Sequence, residues 1–188
     1  MPRAGLNEEA VVTAALAVVD RDGAAALTLA SVAALVGVAT PSLYKHVGGL
    51  AELRSLVANR VLREMADVAT AAVLGRSGDD AVTVLMRQLR HYAVEHPARY
   101  AAMPADPQHD PALANASGAL IGVFAATLRH YALEGSAAIH AIRCLRVIVH
   151  GFSSIESSAG FGMAESPDDT FSHLIEMYLS YLHNAQEQ

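Results

Sequence analysis

The chain is 188 residues long, 53% apolar, and carries a formal net charge of −6. That length and apolar content exclude a disordered chain and allow one domain or two small ones, and the acidic balance excludes a general nucleic-acid binder. A single cysteine, Cys144, excludes an internal disulfide and fits a reducing compartment.

Arg3 is followed by Glu8 and Glu9 and not by an apolar run, so no secretory signal is read. Residues 23–44 carry no charge, but Ala, Gly, Ser and Thr fill them as much as Leu and Val do, and Pro41 interrupts them. A membrane span needs roughly 20 predominantly apolar residues in one helix, which this run does not offer. The expected setting is the cytoplasm.

Residues 1–6 form a short arm with Arg3, either a disordered terminus or a basic arm for the minor groove. The first helix is expected over about 7–22. Asn7 is its N-cap, Glu8 and Glu9 favour its dipole, and Val12, Ala15, Leu16 and Val19 form a core stripe. Thr28 opens a second helix, in which Leu29, Val32, Ala33 and Val36 recur at helical spacing. Gly37 ends it, at a position that wants a left-handed backbone. Val38 plugs the turn. Thr40 reads as the next N-cap with Pro41 at the first helical position. The short helix after it turns Leu43 and Val47 inward and leaves Ser42, Tyr44, Lys45 and His46 outside.

Two short helices, a glycine turn and an outer face of hydroxyl, phenol and amine make a helix-turn-helix signature. Its second helix is narrow enough for a major groove. Spacing alone leaves open a plain pair of packed helices. The charge around it is not basic: Arg3, Arg21 and Lys45 stand against Glu8, Glu9, Asp20 and Asp22. Fixed N–H and hydroxyl donors, and the doubling of the patch in a dimer, then carry more of any phosphate binding.

Gly48-Gly49 breaks the chain before a long helix over about 50–74, with Leu53, Leu56, Val57, Val61, Met65 and Val68 on its apolar side. Asp79 is expected to cap a helix to about His96, ended by Pro97. A Pro- and Asp-rich loop runs from Met103 to Pro111. Further helices are expected over about 112–133, 137–158 and from Asp168 or Asp169 to about Asn184. The last two are apolar on more than one face, which points to burial on both sides. No strand pattern and no repeat compete. The fold expected is all-α: a three-helix helix-turn-helix domain over 1–49 and a helical ligand-binding and dimerisation domain over 50–188.

Residues 7–53 resemble the N-terminal domain of the tetracycline-repressor (TetR) family of bacterial regulators. The matching positions are Asp22-Gly23, Thr28, Ala33, Gly37-Val38 and Leu43-Tyr44-Lys45-His46-Val47. Val47 stands where the family usually has Phe, and Leu50 where it commonly has a phosphate-binding Lys. The stretch from His150-Gly151-Phe152 through Ala159-Gly160-Phe161-Gly162 to Leu174-Ile175 resembles the regulatory domain of one branch of that family, with a His-Gly motif in its dimerisation helix. The resemblance implies a ligand-responsive transcriptional regulator, most often a repressor. Its double-stranded operator would be met by Thr28, Thr40, Pro41, Ser42, Tyr44, Lys45 and His46. The last two helices would form a four-helix bundle across a twofold axis in a homodimer. A small-molecule effector among the helices between 50 and 158 would favour a subunit spacing that no longer fits successive major grooves.

The effector is not named by the sequence. Met86, Tyr92, Tyr100, Met103 and Phe124 offer apolar walls, or are simply core. Arg143, Arg146 and His150 lie at i, i+3 and i+7 on an apolar helix. They need a carboxylate partner such as Glu156 or Glu176, within the subunit or across the dimer, or an acidic ligand. No cofactor is expected and no metal: His140 and Cys144 share a helix face, but no third ligand is marked, and a buried thiol beside a hydrogen-bonded His is the simpler reading. A redox or metal sensor built on that pair is the third alternative. No phosphate loop, nucleophile elbow or HExxH helix marks an enzyme. The second alternative is a helical small-molecule-binding protein or enzyme of the same fold that has lost DNA binding, favoured by the acidic balance and Leu50.

Overall fold

The computed structural model describes residues 6–186; the Arg3 arm lies outside the described residues. The protein is all-α, with no strand among the described residues. The helices are α1 (Glu8–Asp22), α2 (Leu29–Val36), α3 (Leu50–Val73), α4 (Gly78–Glu95), α5 (Pro97–Ala101), α6 (Ala114–Leu128), α7 (Gly135–Ser157) and α8 (Pro167–Gln186). Short 3₁₀ turns occupy Ala24–Ala26, Thr40–Lys45 and Arg129–Tyr131. The chain forms two compact units: one joins the N-terminal segment through Leu62 to His96–Ser117, the other joins Arg63–Glu95 to the chain from Gly118 onward.

In the first unit the expected caps are in place. The Asn7 carboxamide oxygen accepts the Ala10 N–H at 2.8 Å, and Gly23 at φ 87° ends α1. Val12, Ala15, Leu16 and Val19 are all buried, joined by Val11, Ala14 and Val18. Each such aliphatic side chain removed from water stabilises the fold by about 1.5–3 kcal/mol. Pro97 behaves differently from expectation. It does end α4 by one route, but it also starts α5 at once, because its fixed φ and missing N–H suit the first turn of a new helix. Helix α5 packs on α1 and on the Ala24–Ala26 turn.

In the second unit α4 packs on α7 and α8, and α7 packs on α8. Val82, Leu85, Met86 and Leu89 meet an interior that includes Leu145, Val149, Phe152, Phe171, Ile175 and Leu182, all buried. Tyr178, also buried, donates its hydroxyl to the Ala141 carbonyl at 2.9 Å. Asp79 is not the cap of α4, which begins at Gly78. Its carboxylate instead accepts the Tyr131 hydroxyl at 2.6 Å and faces His183 Nε2 at 3.0 Å. Helix α8 starts one residue before the expected Asp pair, with Ser166 Oγ accepting the Asp169 N–H at 3.4 Å ahead of Pro167.

One charged cluster sits inside this unit. The Arg90 guanidinium forks onto Glu156 at 2.7 and 2.5 Å and reaches Asp168 at 2.7 Å. Its Cζ lies 5.0 Å over the Phe152 ring and 4.9 Å over the Phe171 ring. Hydrogen bonding to Glu156, and to a lesser degree to Asp168, outweighs the opposing effect of burial and raises the guanidinium above its ordinary value. The outer side of α7 is unlike its inner side: Ile139 and Val147 are exposed, as are Arg143, Arg146 and His150. By length and mean hydropathy, 1.2, α7 is apolar enough to cross a membrane.

Candidate nucleic-acid interface

The interface is built from α2, a tight turn and the 3₁₀ segment. Thr28 Oγ1 accepts the Ser31 N–H at 3.0 Å, and Ser31 Oγ accepts the Thr28 N–H at 3.0 Å. This reciprocal pair is a capping box with Ser in the place usually held by Glu or Gln, so it was visible only as a lone Thr cap. Ser31 Oγ also donates to the Thr28 and Ala26 carbonyls, which ties α2 to the preceding turn.

Gly37 sits at φ 73°, ψ 35°, the left-handed region that its sequence position demanded. The Val38 N–H then donates to the Ala33 carbonyl at 3.0 Å. Two expectations for the following segment are corrected. Thr40 is not a capping side chain: Ala39 is the N-cap, and no side-chain cap bond is made. The Ser42 N–H closes onto the Ala39 carbonyl at 2.8 Å, so the turn winds as a 3₁₀ helix over Thr40–Lys45 and not as an α-helix.

A 3₁₀ winding has about three residues per turn, so residues three apart share an edge. Thr40 and Leu43 take the inner edge, and Leu43 is fully buried. Pro41 and Tyr44 take a second edge, both exposed, with Tyr44 58% accessible. Ser42 and Lys45 take the third, half-buried and exposed. His46 follows, half-buried, its N–H donating to the Leu43 carbonyl at 2.8 Å. Val47 is buried and closes the motif, and the Gly48 N–H donates to the Glu52 carboxylate in the first turn of α3. Thr28 is exposed, with its hydroxyl occupied by the cap.

The cations of this unit are distributed unevenly. Arg21 pairs with Asp22 at 2.6 Å, Arg60 with Glu9 at 2.5 Å and Arg99 with Asp20 at 2.7 Å. Lys45 and Arg54 are exposed. Arg54 lies four residues after Leu50, on the same face of α3, and sequence reading passed over it. The signal was there: a cation one turn beyond the position where a phosphate-binding Lys is customary.

The residues offered as ligand walls fall in different places. Met86, Tyr92 and Phe124 are buried in the second unit, and the Tyr92 hydroxyl donates to the Glu64 carboxylate at 3.0 Å. Tyr100 and Met103 belong to the first unit and are half-buried. Arg143 and His150 are on the exposed side of α7. The Glu156 carboxylate, one of the partners expected for this stripe, accepts the Arg90 guanidinium on both of its oxygens. An open cavity of about 350 Å³ lies elsewhere, against Gly160, Phe161, Gly162, Met163, Glu165, Pro167 and Thr170, and none of the expected ligand residues lines it. Cys144 is exposed and not the buried thiol expected, since it sits on the outward side of α7. Among the described residues no group of three or more His, Cys, Asp or Glu is placed to hold a metal.

A capped helix, a left-handed glycine turn and a short exposed second helix, braced by a buried stripe, define a helix-turn-helix protein of the all-helical class. Residues 82–178 match the family model for the tetracyclin repressor-like C-terminal domain. The HTH-type transcriptional regulator YobS of Bacillus subtilis is 32% identical over 183 residues, covering 96% of this chain and 95% of YobS. A second HTH-type transcriptional regulator, Rv0681 of Mycobacterium tuberculosis, is 36% identical over 159 residues, covering 81% and 71%. The chain belongs to the tetracycline repressor-like family. The fold is also that of ActR from Streptomyces coelicolor in complex with (S)-DNPA (TM-score 0.73, 20% identity, 97% and 100% coverage). It is likewise that of a TetR variant from Acinetobacter baumannii in complex with minocycline (TM-score 0.73, 17% identity, 97% and 99% coverage).

Proposed function

We propose that this protein is a ligand-responsive DNA-binding transcriptional regulator of the cytoplasm, a repressor released from its operator by a small molecule. The observation that carries the reading is the 3₁₀ segment: Leu43 and Val47 anchor it in the core while Tyr44 and Lys45 stand exposed side by side. Side chains held on a rigid element can be presented to a groove without an ordering cost at binding. Pro41, Ser42, Tyr44, Lys45 and His46 meet DNA; Thr28, Thr40 and Arg54 serve the phosphates. The division of labour runs between residues 1–49, which read DNA, and 50–188, which bind effector and partner.

The subunit works as a homodimer through α7 and α8. The exposed Ile139 and Val147 on α7 and Met177 and Tyr181 on α8 leave an apolar surface that a second copy covers. The His150-Gly151 pair lies on α7, as in the branch with a His-Gly motif in its dimerisation helix. Small-molecule complexes of two structural neighbours support an effector of that kind. The candidate walls in the second unit are Met86, Tyr92 and Phe124.

The test is fluorescence anisotropy with DNA from upstream of the protein's own coding region, wild type beside a Tyr44→Ala, Lys45→Ala double variant. The variant is expected to lose more than about tenfold in affinity with its circular dichroism unchanged. Equal, weak and sequence-independent binding by both proteins overturns the reading. It would favour a helical binding protein or enzyme that has lost DNA binding, for which the pairing of Arg21, Arg60 and Arg99 with carboxylates already speaks.

A further inference from the structure

Arg143 is a charge set in an apolar patch. Ile139 and Val147, one turn before it and one turn after it on α7, are both exposed. Glu176 on α8 has the same setting with the opposite sign. It is exposed, with exposed Met177 next to it and exposed Tyr181 one turn beyond Met177. Among the described residues neither the Arg143 nor the Glu176 side chain has a hydrogen-bond or ion-pair partner, whereas Arg146 and His150 on α7 are not free. The other carboxylates of the two helices are already placed. Glu156 and Asp168 hold Arg90, and Asp169 sits in the first turn of α8, where the helix dipole favours a negative charge.

Two contacts fix the register of α7 against α8. The Tyr178 hydroxyl reaches the Ala141 carbonyl, and the Phe171 and Phe152 rings meet at 4.9 Å between centroids. The helices therefore run antiparallel. Arg143 and Glu176 each lie two residues inward of the first contact, about 3 Å along each axis, and so stand near one level. A surface that covers Ile139 and Val147 covers Arg143 as well. A guanidinium taken from water without a carboxylate is costly, and so is a carboxylate without a cation. A second copy of this chain offers each group what it lacks, because a twofold interface is self-complementary. A chain of the same fold with no acidic residue at that place would leave Arg143 stranded, so the same charges also reject a wrong partner.

We propose that Arg143 pairs with Glu176 of the partner subunit, twice across the twofold axis, and that this reciprocal pair restricts the α7–α8 face to a second copy of this chain. The proposal rests on the homodimer reading above and adds to it the choice of partner. The exposed apolar side chains supply the area, and the two lone charges supply the selectivity.

The experiment is a charge swap on the full chain: wild type, Arg143→Glu, Glu176→Arg and both, by analytical ultracentrifugation over a concentration series. Each single change sets like charges against each other twice and is expected to weaken the dimer at least about tenfold. The double variant reverses the pair and is expected to return to within about threefold of wild type. The two single variants, given different mass tags and mixed in equal amounts, are expected to form mainly the heterodimer in native mass spectrometry. Only there do both pairs have opposite sign. Both side chains are exposed in the subunit, so circular dichroism is expected to stay as in wild type, and heterodimer formation shows that each single variant is folded. Singles that dimerise as tightly as wild type, a double variant weaker than either single, or a purely statistical mixture overturns the pair and leaves the homodimer standing. Wild type that stays monomeric at every concentration overturns the homodimer reading, and the pair with it.

Discussion

At the scale of single residues, most of what the sequence shows are groups whose job is done within four positions of the chain. Asn7 and Gly37 do what their types and places require. Ser31 escaped notice because a hydroxyl three residues after a Thr looks like any surface Ser until its Oγ is seen on the Thr28 N–H. Arg90 escaped because its partners Glu156 and Asp168 are far off in sequence. A lone cation beside Met86 and Leu89 was the available hint. The Asp79 site is similar and yields a prediction. The Tyr131 hydroxyl, and after it His183, hold the Asp79 carboxyl below its ordinary value of 3.8. A carboxyl depressed in the fold adds stability above its ordinary range and loses it as pH falls. Burial first, and then Asp79, raise the Tyr131 phenol, so it stays neutral and goes on donating throughout. The expected outcome is that Tyr131→Phe lowers the urea midpoint at pH 7, and that the gap to wild type narrows as pH drops below about 4. A gap that holds constant down to acid pH would show that Asp79 gains nothing from the hydroxyl.

At the scale of elements, the helices were legible wherever an N-cap, an apolar stripe and a glycine stop agreed. They blurred where one residue has two uses. Pro97 both stops α4 and starts α5, and a five-residue helix leaves no periodicity to read. The 3₁₀ winding at Thr40–Lys45 was read as an α-helix because six residues do not distinguish a period of 3.0 from 3.6. For α7 the stripe was plain, and its excess over one face was the legible part of the interface proposal. Val147 is 69% exposed in the subunit, where a polar residue should be tolerated. In a bundle across a twofold axis the same position is covered. Val147→Asp is therefore expected to give a monomer by sedimentation velocity at micromolar concentration with helix content retained. A dimer that survives the change would place the interface elsewhere.

At the scale of the whole molecule, the grouping of His96–Ser117 with the N-terminal residues was hidden from the sequence. It depends on contacts such as Arg99 with Asp20 and Asn59 with Ala112, which no local pattern announces. The net charge of −6 was legible at once, and its consequence is quantitative. With Arg21, Arg60 and Arg99 paired to carboxylates, Lys45 and Arg54 are the exposed cations considered for phosphate. Two in each subunit of a dimer release few counterions. The expected slope of log K against log salt is about −4, and Arg54→Ala is expected to reduce its magnitude by about 2. A slope near −8 would mean that other basic groups carry the contact.

The six residues of Thr40–Lys45 also limit how much text the protein can read. At about 2 Å of rise per residue they extend about 12 Å, and at about 3.4 Å per base pair that is three or four letters. Two subunits together spell about six to eight letters, a vocabulary of about 4 × 10³ to 7 × 10⁴ words set against about 10⁶ or more competing positions in a genome. Chance spellings would then outnumber true addresses many times over. The remaining information has to reside in the gap between the two words and in how readily the DNA there bends and twists.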